Sequence, residues 1–158
     1  MRRDTLSGYL FVLVGDGNDN FYDEIVELGL DKLRFDTNAV PFLDLVKLDR
    51  YKFLTKEFFK EKYFSADYLF KWDDKVGNSF GICKNEVYNY LRRGEFLVCS
   101  LSFDVVRAFV SNRQVPKKNY ILINVSSDGK ILKGFDEYSF DLISNDVLEI
   151  KSFILRHL

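Results

Sequence analysis

The sequence predicts an α/β fold, a parallel sheet flanked by helices and interrupted by a small mixed α+β insert. Three observations predict it. An apolar run without alternation stands at 9–14, and mainly apolar runs stand at 97–101 and 119–125; such runs mark strands buried on both faces. Helical patterns with capping residues stand between them. Residues 36–82 break this rhythm with short alternating pieces and a hairpin turn.

In order, residues 9–14 form the first buried strand, and 20–29 the first helix, which ends near Gly29. Residues 30–35 read as a short strand. Residues 36–41 read as a loop, where Pro41 holds Val40 out of helix. Two strand-like pieces follow at 43–48 and 51–54. Thr55 caps a helix over 55–64, with Glu57 in its first turn. Residues 68–73 alternate as a strand, 73–78 form a hairpin turn, and 79–82 return. Residues 85–92 form an amphipathic helix with Val87, Tyr90 and Leu91 facing in, closed by Gly94. Ser102 caps a helix over 103–110, with Asp104 favourable in its first turn. The third buried strand is 119–125, followed by a turn at 126–130. A last strand at 138–144 precedes a closing helix at 147–156, opened by Asn145 and Asp146. Together these elements describe a parallel, doubly wound sheet.

The 158 residues are enough for one domain with a proper core, and 47% of them are hydrophobic. Sixteen Phe and nine Tyr against two Pro exclude disorder. A net charge of −1 supplies no field toward nucleic acid or an anionic membrane. The apolar run at 9–14 is too short to span a bilayer. Cys83 and Cys99 read as separate thiols, and with His157 the only histidine no His/Cys metal cluster is expected. A reducing, cytoplasmic setting is expected.

The first strand, its Gly15/Gly17 turn and the following helix make the frame of a phosphate-binding loop without its chemistry. A working loop reads G-x-x-x-x-G-K-[ST]. Counted from Gly15, its second Gly falls on Asn20, its Lys on Phe21 and its Ser/Thr on Tyr22. No ammonium remains for the β/γ-phosphates and no small hydroxyl for Mg²⁺. Asp16, Asp19 and Asp23 add negative charge there.

Several collinear pieces resemble the guanylate kinase family, whose fold the ribose 1,5-bisphosphokinase relatives share. Gly77-Asn-Ser-Phe-Gly-Ile82 is similar to G-N-x-Y-G-[TS]. Tyr51-Lys-Phe-Leu-Thr-Lys-Glu-Phe-Phe59 is similar to Y-x-F-[VL]-[ST]-x-E-x-F. Tyr138-Ser-Phe-Asp-Leu-Ile-Ser-Asn-Asp146 is similar to the closing D-Y-x-[IV]-x-N-D strand. The resemblance implies one domain over 1–158: a core of 1–35 and 83–158, an acceptor-site-like insert at 36–82, and a truncated lid at 126–137. It also implies that functional letters are missing. The acceptor motif T-T-R-x-P-R falls on 36–41, with Asn38 and Pro41 at its arginines. The guanine-reading Glu falls on Lys71, beside Trp72. The acceptor-phosphate Tyr falls on Phe80 and the next Ser/Thr on Ile82. The D-x-D acids fall on Ser100 and Ser102, and the lid keeps Lys130 and Lys133 as its cations.

These losses together remove the charge neutralisation on which phosphoryl transfer depends. The expectation is a catalytically inactive protein-interaction module with no catalytic residue, no cofactor, no metal and no nucleotide, nucleic-acid or membrane partner. Arg34, Arg50, Tyr51, Lys71, Trp72 and Phe80 are its candidate anion or partner contacts. The alternative is an atypical nucleotide-binding protein, or a nucleotide or sugar-phosphate kinase with a rearranged site. The aromatics Phe53, Phe58, Phe59, Tyr63, Phe64, Tyr68, Phe70 and Trp72 read first as the insert's own core and second as a partner surface. Arg92, Arg93, Lys117 and Lys118 read as solvated charges, Asp73 and Asp74 as turn residues, and His157 as a surface residue near the terminus.

Overall fold

The computed structural model describes residues 6–15, 18–39, 50–65, 67–125 and 140–158. A five-stranded parallel sheet forms the centre. Its strands are β1 (Tyr9–Val14), β2 (Asp31–Lys32), β7 (Phe96–Leu101), β8 (Tyr120–Val125) and β9 (Leu142–Ser144), in the order β2-β7-β1-β8-β9. β1 pairs in register with β7 and β8, so Val14 lies beside Leu101 and Asn124. Residues 10–14 are fully buried, a gross hydrophobic gain on the order of 10 kcal/mol for the five side chains.

Helices cover both faces, which is why β1 shows no polar alternation. Leu10, Val12, Val14, Leu97, Cys99 and Leu122 face α3 (Lys84–Arg92) and α4 (Phe103–Asn112) through Val87, Leu91, Val106 and Phe109. Phe11, Leu13, Val98, Ile121 and Ile123 face α1 (Asn18–Val26) and α5 (Val147–Leu155) through Tyr22, Ile25, Ile150 and Ile154. The caps fall where the sequence puts them. Thr55 Oγ1 accepts from Phe58 N at 3.1 Å, Ser102 Oγ from Val105 N at 3.4 Å, and Asp146 Oδ1 from Leu148 N at 2.9 Å.

A second, mixed sheet runs in the order β4-β3-β6-β5: β4 (Tyr51–Phe53), β3 (Phe35–Thr37), β6 (Ser79–Cys83) and β5 (Tyr68–Asp73). One face packs on the α3/α4 side of the core through Phe35, Phe70 and Ile82. The other carries α2 (Lys56–Tyr63). β5 shifts register against β6 between Tyr68, opposite Cys83, and Phe70, opposite Ile82. Leu69 is the extra residue of this bulge. It reverses the alternation, turning Tyr68 toward α2 while Phe70 and Trp72 face the core. Gly81 lies under the Tyr68 ring, where a Cβ would meet ring carbons at 2.7 Å.

Several boundaries differ from the sequence reading. Residues 30–35 divide into β2 and the start of β3, because Leu33 turns into the core between the two sheets. Residues 36 and 37, read as loop, are the rest of β3. α1 begins at Asn18 rather than residue 20. The last strand is described over Leu142–Ser144, and residues 138–139 lie outside the described residues, as do the strand-like piece 43–48 and the lid remnant 126–137. Phe59, Tyr68 and Phe70 are buried as expected of an insert core, but Phe58 and Phe64 are 51% and 77% exposed. His157 is partly buried rather than on the surface. Its ring meets Tyr9, Phe11 and Phe153, and Nδ1 lies 2.9 Å from Phe153 O.

Candidate functional site

Open parallel sheets take ligands outside the carboxyl ends of their strands, and here that edge is formed by Val14, Leu101 and Val125. Gly15 leaves β1 with φ +120°. A Cβ there would lie 2.6 Å from Val125 O and 3.1 Å from Asn124 Oδ1, so close approach and backbone angle both require glycine. Asn124 is fully buried, and its amide oxygen and nitrogen have no hydrogen-bond partner among the described residues. Gly17 lies outside the described residues, and Asn20 sits in the first turn of α1.

Phe21 and Tyr22, the residues that the count from Gly15 sets against a loop's Lys and Ser/Thr, are packed into the fold. Phe21 is half-buried against the α1 side of the core. Tyr22 is 1% exposed, and its hydroxyl donates toward Val98 O at 3.5 Å. The Arg50 guanidinium lies 4.1 Å from the centre of the Tyr22 ring, and Arg50 is itself buried. This cation of the insert stacks on an aromatic face.

Of the remaining candidate contacts, Tyr51, Trp72 and Phe80 come together, Arg34 reaches Tyr51, and Lys71 stands apart. Arg34 Nη2 reaches Tyr51 O at 3.5 Å in an exposed contact just before β3. Tyr51, Trp72 and Phe80 join an aromatic ladder on the core-facing side of the second sheet. Trp72 stacks on Phe80 at 5.5 Å and on Phe70 at 5.4 Å, and Tyr51 meets Phe80 at 5.8 Å. Lys71 points the other way, because it pairs with Gly81 while Trp72 pairs with Phe80. Its Nζ donates to Tyr63 O at 2.9 Å and lies 4.1 Å from the Tyr63 ring centre. Thr37 and Asn38 are tied to β6. Thr37 Oγ1 donates to Ser79 O at 2.9 Å, and Asn38 Oδ1 accepts from Ser79 N at 2.8 Å. Ser102 is used as the cap of α4.

Sequence reasoning missed a buried polar cluster between α2 and the second sheet. Asp36, 1% exposed, accepts from Lys62 Nζ at 2.5 Å, Tyr68 Oη at 2.8 Å and Cys83 Sγ at 3.3 Å. Burial and the neighbouring Asp36 push the Cys83 thiol up to about 11, so it stays protonated and unreactive at neutral pH. Burial and the same carboxylate raise the Tyr68 phenol. Burial works against the Lys62 ammonium, but its bonds to Asp36 and Cys83 outweigh that and hold its pKa above 10.5. Four elements contribute these residues, so no linear spacing signals the cluster.

No family model matches the chain, and a search of curated proteins finds no match. Among solved structures, the chain is similar to guanylate kinase from Anaplasma phagocytophilum, with a TM-score of 0.68 over 95% of this chain and 84% of that one at 12% identity. The chain therefore has a guanylate-kinase-like α/β fold.

Proposed function

We propose that this chain is a catalytically inactive guanylate-kinase-like protein that acts through protein–protein contacts. The observation that carries the reading is Tyr22. At the position where a phosphate-binding loop needs a small hydroxyl for Mg²⁺, a buried ring lies under the Arg50 guanidinium. Phe21 replaces the loop ammonium, and Asn38 replaces an acceptor arginine and is bonded to Ser79. Positioned cations supply most of the barrier lowering in phosphoryl transfer, so their replacement by rings and amides argues against that chemistry. With the catalytic positions absorbed into packing, the exposed surface is what remains for function.

The test is thermal unfolding with millimolar ATP·Mg²⁺ and, separately, GMP. A ligand at about 100 times its Kd adds ~2.7 kcal/mol, a Tm rise of roughly 5–10 °C for a chain of this size. No shift is expected with either ligand, and a rise on that scale removes the proposal. One observation favours the alternative of an atypical nucleotide-binding protein: the buried Asn124 amide beside Gly15 offers a donor and an acceptor without described partners. That reading requires the Tm rise and its loss in Asn124→Leu.

A further inference from the structure

A groove of about 340 Å³ runs along α2 beside the loop end of β6. Phe59, Tyr63 and Phe64 supply its apolar wall, Asn38 and Ser79 its far side, and Lys56 and Lys60 its rim. It is lined by two ammonium groups and no carboxylate, in a chain whose net charge is −1. Neither lysine has an ion-pair partner among the described residues, whereas Lys62, two residues beyond Lys60, is bound to Asp36. Phe64 closes the helix with 77% of its surface exposed.

We infer that this groove binds an acidic segment of a partner protein with the pattern acid–x–acid–x–apolar. The inference rests on the protein-interaction reading above and names the partner's chemistry. Lys56, Lys60 and Phe64 follow one another at four-residue intervals, so they line one side of the helix at a rise of ~6 Å per step. An extended chain repeats its side chains on one side every two residues, at ~6.6–6.8 Å. Two carboxylates two residues apart therefore face the two ammonium groups, and an apolar side chain two residues further on falls on Phe64. The acids supply orientation and rate of encounter, and the apolar contact supplies the desolvated anchor. A nucleic acid fits less well. A strand-binding surface needs a continuous basic track, and Glu57 and Glu61 interrupt the same helix.

The experiment uses the full chain and fluorescein-labelled Gly-Ser-Glu-Ser-Glu-Ser-Leu-Ser-Gly, read by anisotropy, with its reversed sequence and a Lys-for-Glu control. Saturable binding of at least one acidic peptide at protein concentrations up to about 1 mM is expected, with none of the control. Lys56→Glu/Lys60→Glu weakens it at least about tenfold, and Phe64→Ala at least about threefold. All three residues lie on the surface, so circular dichroism of the variants should match the parent. Equal binding of the control, or an affinity unchanged within about twofold in the charge-reversed variant, overturns the inference. So does tighter binding of oligo(dT), with a steep salt dependence. If neither acidic peptide binds but a peptide-display selection yields ligands that the three substitutions leave unaffected, this groove fails while the interaction reading stands. If ATP·Mg²⁺ raises Tm while the acidic peptide still binds α2, the inactivity reading fails and the groove stands.

Discussion

Replacing Asp36 tests whether the buried cluster fixes α2 on the second sheet. Asp36 is 1% exposed and accepts from Lys62, Tyr68 and Cys83. Asp36→Asn keeps an acceptor for the Tyr68 hydroxyl but leaves the Lys62 ammonium facing a neutral amide. Breaking a buried pair from one side costs ~3–5 kcal/mol. The Lys62 side chain retains 24% exposure and can turn its ammonium toward water, which places the loss near the lower end, at about 3 kcal/mol. With a urea dependence of about 2 kcal/mol/M, the unfolding midpoint falls by about 1.5 M. Lys62→Met strands the carboxylate, the more buried of the two charges, with two neutral donors and should cost at least as much, about 3–5 kcal/mol. The double variant should recover about 1–3 kcal/mol relative to the sum of the two single losses. Urea titrations of the four proteins, followed by far-UV circular dichroism, complete the cycle. Additivity within about 0.5 kcal/mol would show that the two charges are not coupled and would refute the reasoning.

Other consequences follow from the same packing. The folded pKa of Lys62 is raised above 10.5, so its stabilising contribution is complete below that value and is lost as pH rises through the folded pKa. The urea midpoint should therefore fall as pH rises beyond 10.5, and fall less in Lys62→Met. Gly15→Ala combines φ +120° with a contact 2.6 Å from Val125 O and should cost about 2–5 kcal/mol. Gly77→Ala, at φ +91° with nothing within 4 Å, should cost only the backbone strain, about 1 kcal/mol; equal Tm losses would contradict the close approach. Tyr22→Ala removes a buried ring from under Arg50 and should cost about 3–5 kcal/mol, whereas a loss below about 1 kcal/mol by urea titration would mean that the ring is not packed as described.

The sheet was legible because burial on two faces leaves a plain trace. Residues 9–14 are an unbroken apolar run, 97–101 and 119–125 are apolar apart from Ser100, Asn119 and Asn124, and β1, β7 and β8 are those runs in parallel register. The caps at Thr55, Ser102 and Asp146 were legible because their chemistry is local. β3 was not, since three residues cannot display a period and Asp36 reads as a turn former until its partners arrive from 26, 32 and 47 residues away. Nor was the bulge at Leu69, because a run of Tyr, Leu and Phe alternates plausibly in either register. At the loop, counting from Gly15 placed Phe21 and Tyr22. It said nothing of Arg50, whose position over the Tyr22 ring depends on how the insert returns to α1.

Five of the described cations of the insert fall into two groups, and that contrast links fold to surface. Arg50 lies on Tyr22, Lys62 on Asp36 and Lys71 on the carbonyl and ring of Tyr63. Each of these charges is held by a protein group. Lys56 and Lys60 belong to the same helix as Lys62, about two turns and one turn before Phe64 respectively. They cannot turn inward, because the face of α2 that meets the sheet is filled by Phe59 and Lys62. An ammonium on the sheet side of α2 requires a buried carboxylate, since an unpaired charge there would be expelled, and Asp36 satisfies that requirement once. The pairing therefore fixes the rotation of α2 about its axis, and with it the side on which Lys56, Lys60 and Phe64 meet solvent.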